Sequence, residues 1–277
     1  MRSKTRLVFT DFHNMALIFS LPSYRGMLIG AKCAGYRFID FSAIDCTQGS
    51  RFFEGGRCLL RHDVDADLSA ALTMAEVEND LGITSTYFLM LRSPVYNLMG
   101  RHNHLMVEKI LTLGHAVGLH YDQGFDALRG LTPEQTADAV EHEAQWLENQ
   151  FNTQVAAVSF HQPGAEVLQG KIRTSSRINT YDRARLAAFA YYSDSNRQFP
   201  LAQCADGGIT GVIAACAPHS LQLLIHPLWW VYDDPSTEAV WDRAILSNLQ
   251  SMQQQLLETE RAYGIARRFD VSMKGVL

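Results

Sequence analysis

The chain is expected to be an α/β protein whose parallel sheet curls toward a barrel. Two observations predict this. After residue 56, short and nearly continuous apolar stretches alternate with helical patterns, as strands covered on both faces by helices require. Polar residues then recur at the C-terminal ends of those stretches, the end at which enzyme barrels and open α/β sheets carry their sites.

The elements follow in order. Residues 1–56 precede the alternation and are expected to form an N-terminal extension packed on a barrel domain spanning 57–277. The extension holds a helical pattern around Ser23–Ala34 and a strand-like "YRFIDF", and Gly55 and Gly56 close it. The strand candidates beyond are "CLLRHD", "STYFLML", "HAVGLHY", "VAAVSFH", "FAYYSD" and "LQLLIHP". Between the first two, "DLSAALTMAEVENDLG" places Leu68, Leu72, Ala75 and Leu81 at roughly helical spacing, with Gly82 as a stop. "LTPEQTADAVEHEAQWLENQF" opens with Thr132 as a cap, Pro133 at the first helical position and Glu134 in the first turn. A last long helix is expected from about Ser236 to Tyr263.

Composition narrows the function. The chain has 277 residues, 47% hydrophobic and 19% charged, an ordinary globular balance. Its formal charge is −5 and its lysines and arginines form no basic stripe, which disfavours nucleic acid as a partner. The 5 cysteines (Cys33, Cys46, Cys58, Cys204 and Cys216) include no CxxC pair, and Cys58 and Cys216 sit in apolar runs. That pattern fits buried thiols in a reducing compartment. The N-terminus is basic, but Asp11 and His13 follow, and the apolar "MALIFSL" is short and closed by Pro22. Neither a secretory signal nor a membrane span is read, and the cytoplasm is the expected compartment.

The polar strand ends supply the chemistry. In "LLRHDVD", Asp63 and Asp65 stand two residues apart and share a face, while His62 and Val64 face the other way. Two such carboxylates remain charged together only with a cation nearby, so one ligand and one base is a natural division. The competing account is a hydrated strand end, with Asp67 capping the next helix. "GLHYD" repeats the spacing with His120 and Asp122, and these converging with Asp65 would form a facial site for zinc or another first-row divalent ion. His115, at the start of the same strand, is assigned to structure. His226, fixed by Pro227 in "LLIHP", is placed to protonate a leaving amine. Trp229 and Trp230 after it are candidates for an aromatic wall. His161 in "SFHQPG" and Asp194 in "YYSDSN" complete the ring as supporting partners or further ligands. "RHNH" at Arg101–His104 lacks the ββα context of an HNH nuclease, and no Gly-x-Ser-x-Gly elbow is present.

The ordered set "RHDVD", "GHAVGLHYD", "FHQPG", "YSDS" and "LLIHP" resembles the polysaccharide deacetylase superfamily (NodB homology, carbohydrate esterase family 4). It looks most like the divergent branch associated with surface-polysaccharide biosynthesis, and the resemblance covers about Cys58 to Trp230. It implies a distorted (β/α) barrel of about seven parallel strands. It also implies Asp63 as general base, Asp65 and His120 as metal ligands, and His226 as general acid, with Asp194 supporting the acid and base. Three departures stand out. Val64 separates the usually adjacent aspartates. The second histidine ligand would fall on Gly124, so Asp122 is the expected substitute, with Asp126 and His161 in reserve. Where the family has a base-tuning arginine, this chain has His161.

The resemblance therefore implies a metal-dependent hydrolase of a carbon–nitrogen bond, removing acetyl from an N-acetylated sugar or saccharide. Zinc is the expected ion, with manganese, iron, cobalt or nickel as alternatives. Asp63 would take the proton of a water, and a backbone N–H such as that of Tyr121 would hold the oxyanion. Two other outcomes stay open: hydrolysis of an imide, formamide or peptide amide, and a barrel that binds a saccharide without cleaving it.

Overall fold

The computed structural model describes residues 19–44, 56–174, 176–198 and 220–263. The chain opens with helix α1 (Leu21–Cys33) and strand β1 (Arg37–Ile39). Then follow β2 (Arg57–Val64), α2 (Leu68–Asp80), β3 (Thr86–Leu89), α3 (Arg101–Thr112), β4 (Ala116–Asp122), α4 (Gln123–Arg129) and α5 (Pro133–Phe151). The second half runs β5 (Ala157–His161), α6 (Ala165–Leu168), β6 (Ile178–Asn179), β7 (Phe189–Ser193), β8 (Ser220–Ile225), α7 (Pro227–Val231) and α8 (Thr237–Thr259).

The strands form one parallel sheet in the order β6-β5-β4-β3-β2-β8-β7, with β1 beside the start of β2. The sheet curls into a half-barrel dressed with helices. Among the described residues β6 and β7 do not pair. A side chain crosses that gap instead, as Gln222 of β8 donates to the backbone carbonyl of Thr180 at 3.1 Å.

Strand β2 shows how the sequence builds both layers. Its outward residues Cys58, Leu60 and Val64 enter two apolar clusters under the helices. Its inward Leu59 packs with Phe41, Phe88, Ala157, Ile178 and Leu186 in the barrel interior. Burial on both sides is why the strand reads as an unbroken apolar run. Gly118 of β4 faces this interior, and a Cβ there would lie 2.5 Å from the Phe88 ring. The missing side chain makes room for that ring.

Of the extension expected over residues 1–56, the described part joins these layers. Tyr24, Met27, Leu28 and Ala31 of α1 pack with Met74 of α2 and Trp230 of α7. β1 extends the sheet at Arg57–Leu59. Helix α1 starts earlier than its pattern alone predicts because Ser20 caps it and Pro22 occupies its first turn.

His62, which faces away from Asp63, and His115, assigned to structure, are buried in one polar knot outside the barrel. Glu78 of α2 lies 2.7 Å from His62 Nε2 and accepts from the hydroxyls of Tyr24, Ser85 and Tyr87. His115 meets the same Ser85 and the backbone carbonyl of Ala75. Burial pushes Glu78 up, but His62, His115 and Ser85 outweigh it and hold the carboxyl below the usual range. Asp67 caps α2, and Thr132, the expected cap of α5, forms a reciprocal capping box with Gln135. Cys58 is buried and Cys33 exposed, both as free thiols, while Cys46, Cys204 and Cys216 lie outside the described residues. Among the described residues no helix is long and apolar enough to cross a membrane.

Candidate active site

The C-terminal ends of β2, β4, β5, β7 and β8 meet at one mouth of the half-barrel. The parallel register aligns them, pairing Asp63 with Phe88, His120 with Ser159, and Asp122 with His161. Alternation along each strand then turns Asp63, His120 and Ser159 into the interior, and Asp65 and His161 follow at the rim.

Three atoms converge at that rim. Asp65 Oδ1 lies 3.0 Å from His120 Nε2 and 3.2 Å from His161 Nδ1, and the two ring nitrogens are 3.3 Å apart. Burial pushes the Asp65 carboxyl up. The hydrogen bonds from His120 and His161, with the charge of His226, overcome that and hold it far below the usual carboxylate range. His161 is raised by its hydrogen bond to Asp65, against its burial. Its side chain is 28% exposed and that of Asp65 14%, so the trio opens to solvent.

Asp63 sits deeper, with 2% of its side chain exposed. Its Oδ2 accepts from Arg61 Nη2 and from Ser159 Oγ, each at 2.9 Å. Its Oδ1 is buried with no partner among the described residues. Burial pushes this carboxyl up, and the Arg61 charge, followed by those of His120 and His226, brings it below the usual range. Arg61 itself is fully buried, bonded also to Ser159 and Tyr181, with its guanidinium 5.1 Å from the Tyr181 ring centre.

The Ser159 hydroxyl decides a tautomer. Its single proton goes to Asp63, and Arg61 donates to it, so His120 Nδ1, at 3.1 Å, must also be a donor. Nδ1 therefore carries a proton, so Nε2, the nitrogen that faces Asp65 and His161, is the one free to give up its proton to a ligand bond. A ligating histidine requires this arrangement.

His226 stands across from the trio. Its Nδ1 lies 2.6 Å from Asp194 Oδ1, and its Nε2 lies 3.9 Å from Asp65 Oδ2. Asp194 also accepts from the His226 backbone N–H and from Trp230 Nε1 at 2.8 Å. Burial pulls the imidazole down, but the Asp194 charge and hydrogen bond push it up to about 9.

Asp63, Asp65, His120, His161, His226 and Asp194 are thus brought together. Asp122, the expected third ligand, is not. It is the last residue of β4 and the cap of α4, where its carboxylate accepts from the Gly124 N–H at 3.0 Å. His161, its register partner, takes the third place in the trio. Asp126 is buried and accepts from the Tyr121 hydroxyl at 2.7 Å. The Tyr121 side chain accordingly points away from the mouth into the outer cluster. Trp229 forms no aromatic wall: it is buried and edge-packed on Trp241, with 6.0 Å between ring centres. Trp230 is buried as well and donates to Asp194 rather than forming a wall, and the sequence pattern singles out neither Arg61 nor Ser159. Each of these two stands two residues before an inward group on its own strand, Asp63 and His161.

No protein-family model matches the sequence, and no curated protein matches it closely. Among solved structures the chain is similar to a peptidoglycan deacetylase of Bdellovibrio bacteriovorus, at 15% identity and a TM-score of 0.43, over 79% of this chain and 56% of that one. It is similar to a deacetylase of Streptococcus pyogenes in complex with acetate, at 14% identity and a TM-score of 0.39, over 77% and 84%. It is also similar to a CE4 family pseudoenzyme of Bacillus anthracis, at 13% identity and a TM-score of 0.37, over 70% and 60%. The chain spans less than two thirds of the length of the first and third of these. The chemistry of this site rests on its own side chains.

Proposed function

We propose that the chain is a metal-dependent hydrolase of an amide bond, acting on an N-acetylated sugar or saccharide. One observation carries the reading. A trio of ligand-type atoms lies between a buried carboxylate with one bare oxygen, Asp63, and a charged imidazole, His226.

The trio suits a divalent ion. Donors at about 2.1 Å from a tetrahedral ion stand roughly 3.4 Å apart, and the three contacts here are 3.0, 3.2 and 3.3 Å. One carboxylate and two imidazoles, with the His120 tautomer set by Ser159, match the preference of zinc and its first-row neighbours. Asp65, His120 and His161 would hold the ion. When bound, it supplies Lewis acidity that polarises the amide carbonyl and lowers the pKa of water.

The remaining steps belong to the chain. Arg61 and Ser159 occupy Asp63 Oδ2, which leaves Oδ1 to take one proton from the attacking water. The water oxygen bonds to the acyl carbon and the carbon–nitrogen bond breaks. His226 Nε2 delivers a proton to the departing nitrogen, so acetate and an amine leave together. Asp194 orients the imidazole and keeps it protonated at neutral pH.

The direct test is acetate release from N-acetylglucosamine oligomers by zinc-loaded protein. Asp63→Asn and His226→Ala are each expected to lower the rate by about 100-fold or more. Equal release by the wild type and both variants would contradict the assigned roles.

A further inference from the structure

Beside the mouth, two cavities of about 420 and 370 Å³ share the walls Leu168, Tyr181, Asp182 and Arg183. Tyr181 ties them to the site: its hydroxyl lies 3.2 Å from Arg61 Nη2, and Arg61 bonds Asp63. The smaller cavity opens where β6 and β7 fail to pair, and Tyr191 and Gln222 line it from β7 and β8.

Three features of these walls point to a ligand. Tyr191 is 49% exposed and Leu168 48%, so an aromatic ring and an apolar side chain face solvent at the cavities. Thr180 is 3% exposed and lines the smaller cavity, yet its Oγ1 has no partner among the described residues. The third feature is charge. The chain is net −5, but the stretch "KIRTSSRINTYDRAR" from Lys171 to Arg185 holds Lys171, Arg173, Arg177, Arg183 and Arg185 against Asp182 alone. Arg177 is committed to Glu141 and Glu148, and Arg185 to Asp182. Arg173 and Arg183 line the larger cavity and form no ion pair among the described residues.

We infer that these joined cavities bind the sugar next to the reacting one, and that this neighbour is acidic. Sugar faces stack on exposed aromatic rings, as Tyr191 offers, while hydroxyls suit Thr180 and a carboxylate suits the guanidiniums of Arg173 and Arg183. The substrate class is thus an N-acetylated saccharide with a uronic acid beside the acetylated unit. The inference deepens the hydrolase reading and rests on it for the position of the scissile amide.

Binding separates the two ideas. Full-length wild-type protein is titrated with a glucuronate–N-acetylglucosamine tetrasaccharide and with neutral N-acetylglucosamine tetramer, and acetate is followed in the same samples. At low salt the acidic ligand is expected to bind about fivefold or more tighter, an advantage that 0.5 M salt largely erases. The exposed double variant Arg173→Ala/Arg183→Ala is expected to lose the advantage with unchanged thermal stability, and Tyr191→Ala to weaken both ligands alike. Equal affinities, no binding of either ligand, or a preference that survives in the double variant would overturn the inference. So would inorganic phosphate competing as well as the acidic tetrasaccharide. Preference without acetate release would count against the hydrolase reading alone, and acetate release without preference against the acidic subsite alone.

Discussion

Asp194 Oδ1 lies 2.6 Å from Nδ1 of His226, and the same carboxylate takes the His226 backbone N–H and the Trp230 indole N–H. The carboxylate is fully buried and binds the imidazole from the side away from the mouth. It therefore fixes which nitrogen faces Asp65 and whether that nitrogen carries a proton.

The first prediction is kinetic. His226 is pushed up to about 9, so it is protonated at neutral pH and the proposed acid is lost as pH rises through that value. The alkaline limb of kcat/KM is expected near pH 9. Asp194→Asn keeps the shape but removes the charge, and should move that limb down by about one unit or more. A limb that stays in place would show that Asp194 does not set the acid.

The same shift has a stability consequence. A histidine raised from 6.5 to about 9 contributes stability that is complete below pH 6.5 and is lost as pH climbs through 9. The loss is on the order of 3 kcal/mol at most. Urea unfolding of metal-free protein at pH 6.5 and pH 9.5 should reveal it. His226→Gln should flatten the difference, and an equal slope in that variant would assign the effect elsewhere.

Ser159 joins Asp63 to His120 of the trio through one hydroxyl. Ser159→Ala is expected to weaken metal binding by about 10-fold, as loss of a ligand's outer partner commonly does. It should also release the Nδ1–H tautomer of His120, visible in imidazole nitrogen NMR of the metal-free protein. Unchanged affinity together with an unchanged tautomer would remove Ser159 from this role.

Arg61 and Asp63 form a fully buried ion pair at 2.9 Å. Arg61→Met strands the carboxylate and is expected to cost about 3–5 kcal/mol in urea unfolding. The double variant Arg61→Met/Asp63→Leu removes both charges and should recover most of that loss. A double variant as unstable as the single would mean that packing, rather than charge, holds the site.

Much of this arrangement is legible in the sequence because parallel strands buried on both faces leave only their C-terminal ends polar. Asp63, Asp65, His120, His161, Asp194 and His226 all announce themselves that way. Alternation also places His62 correctly on the far side, in the Glu78 knot. Asp122 falls outside the trio for a local reason. Asp122 shares the face of His120, but β4 runs directly into α4 and the helix start takes that carboxylate as its cap. His161 reaches the trio only through sheet register, which one strand's spacing does not encode. Strand β6, two residues long, has too short a pattern to read. Arg61 was hidden by its place within an apolar run. There it pairs with Asp63 from two residues earlier on the same strand.

Metal binding tests the centre of this account most directly. Zinc content and affinity are measured for wild type, His161→Ala and Asp122→Ala. The account predicts one equivalent in the wild type and a loss of about 100-fold or more in affinity for His161→Ala. For Asp122→Ala it predicts retained zinc, with only the cost of a helix cap, about 1 kcal/mol of stability. A wild type that takes no zinc, or a site lost with Asp122 and kept without His161, would contradict it.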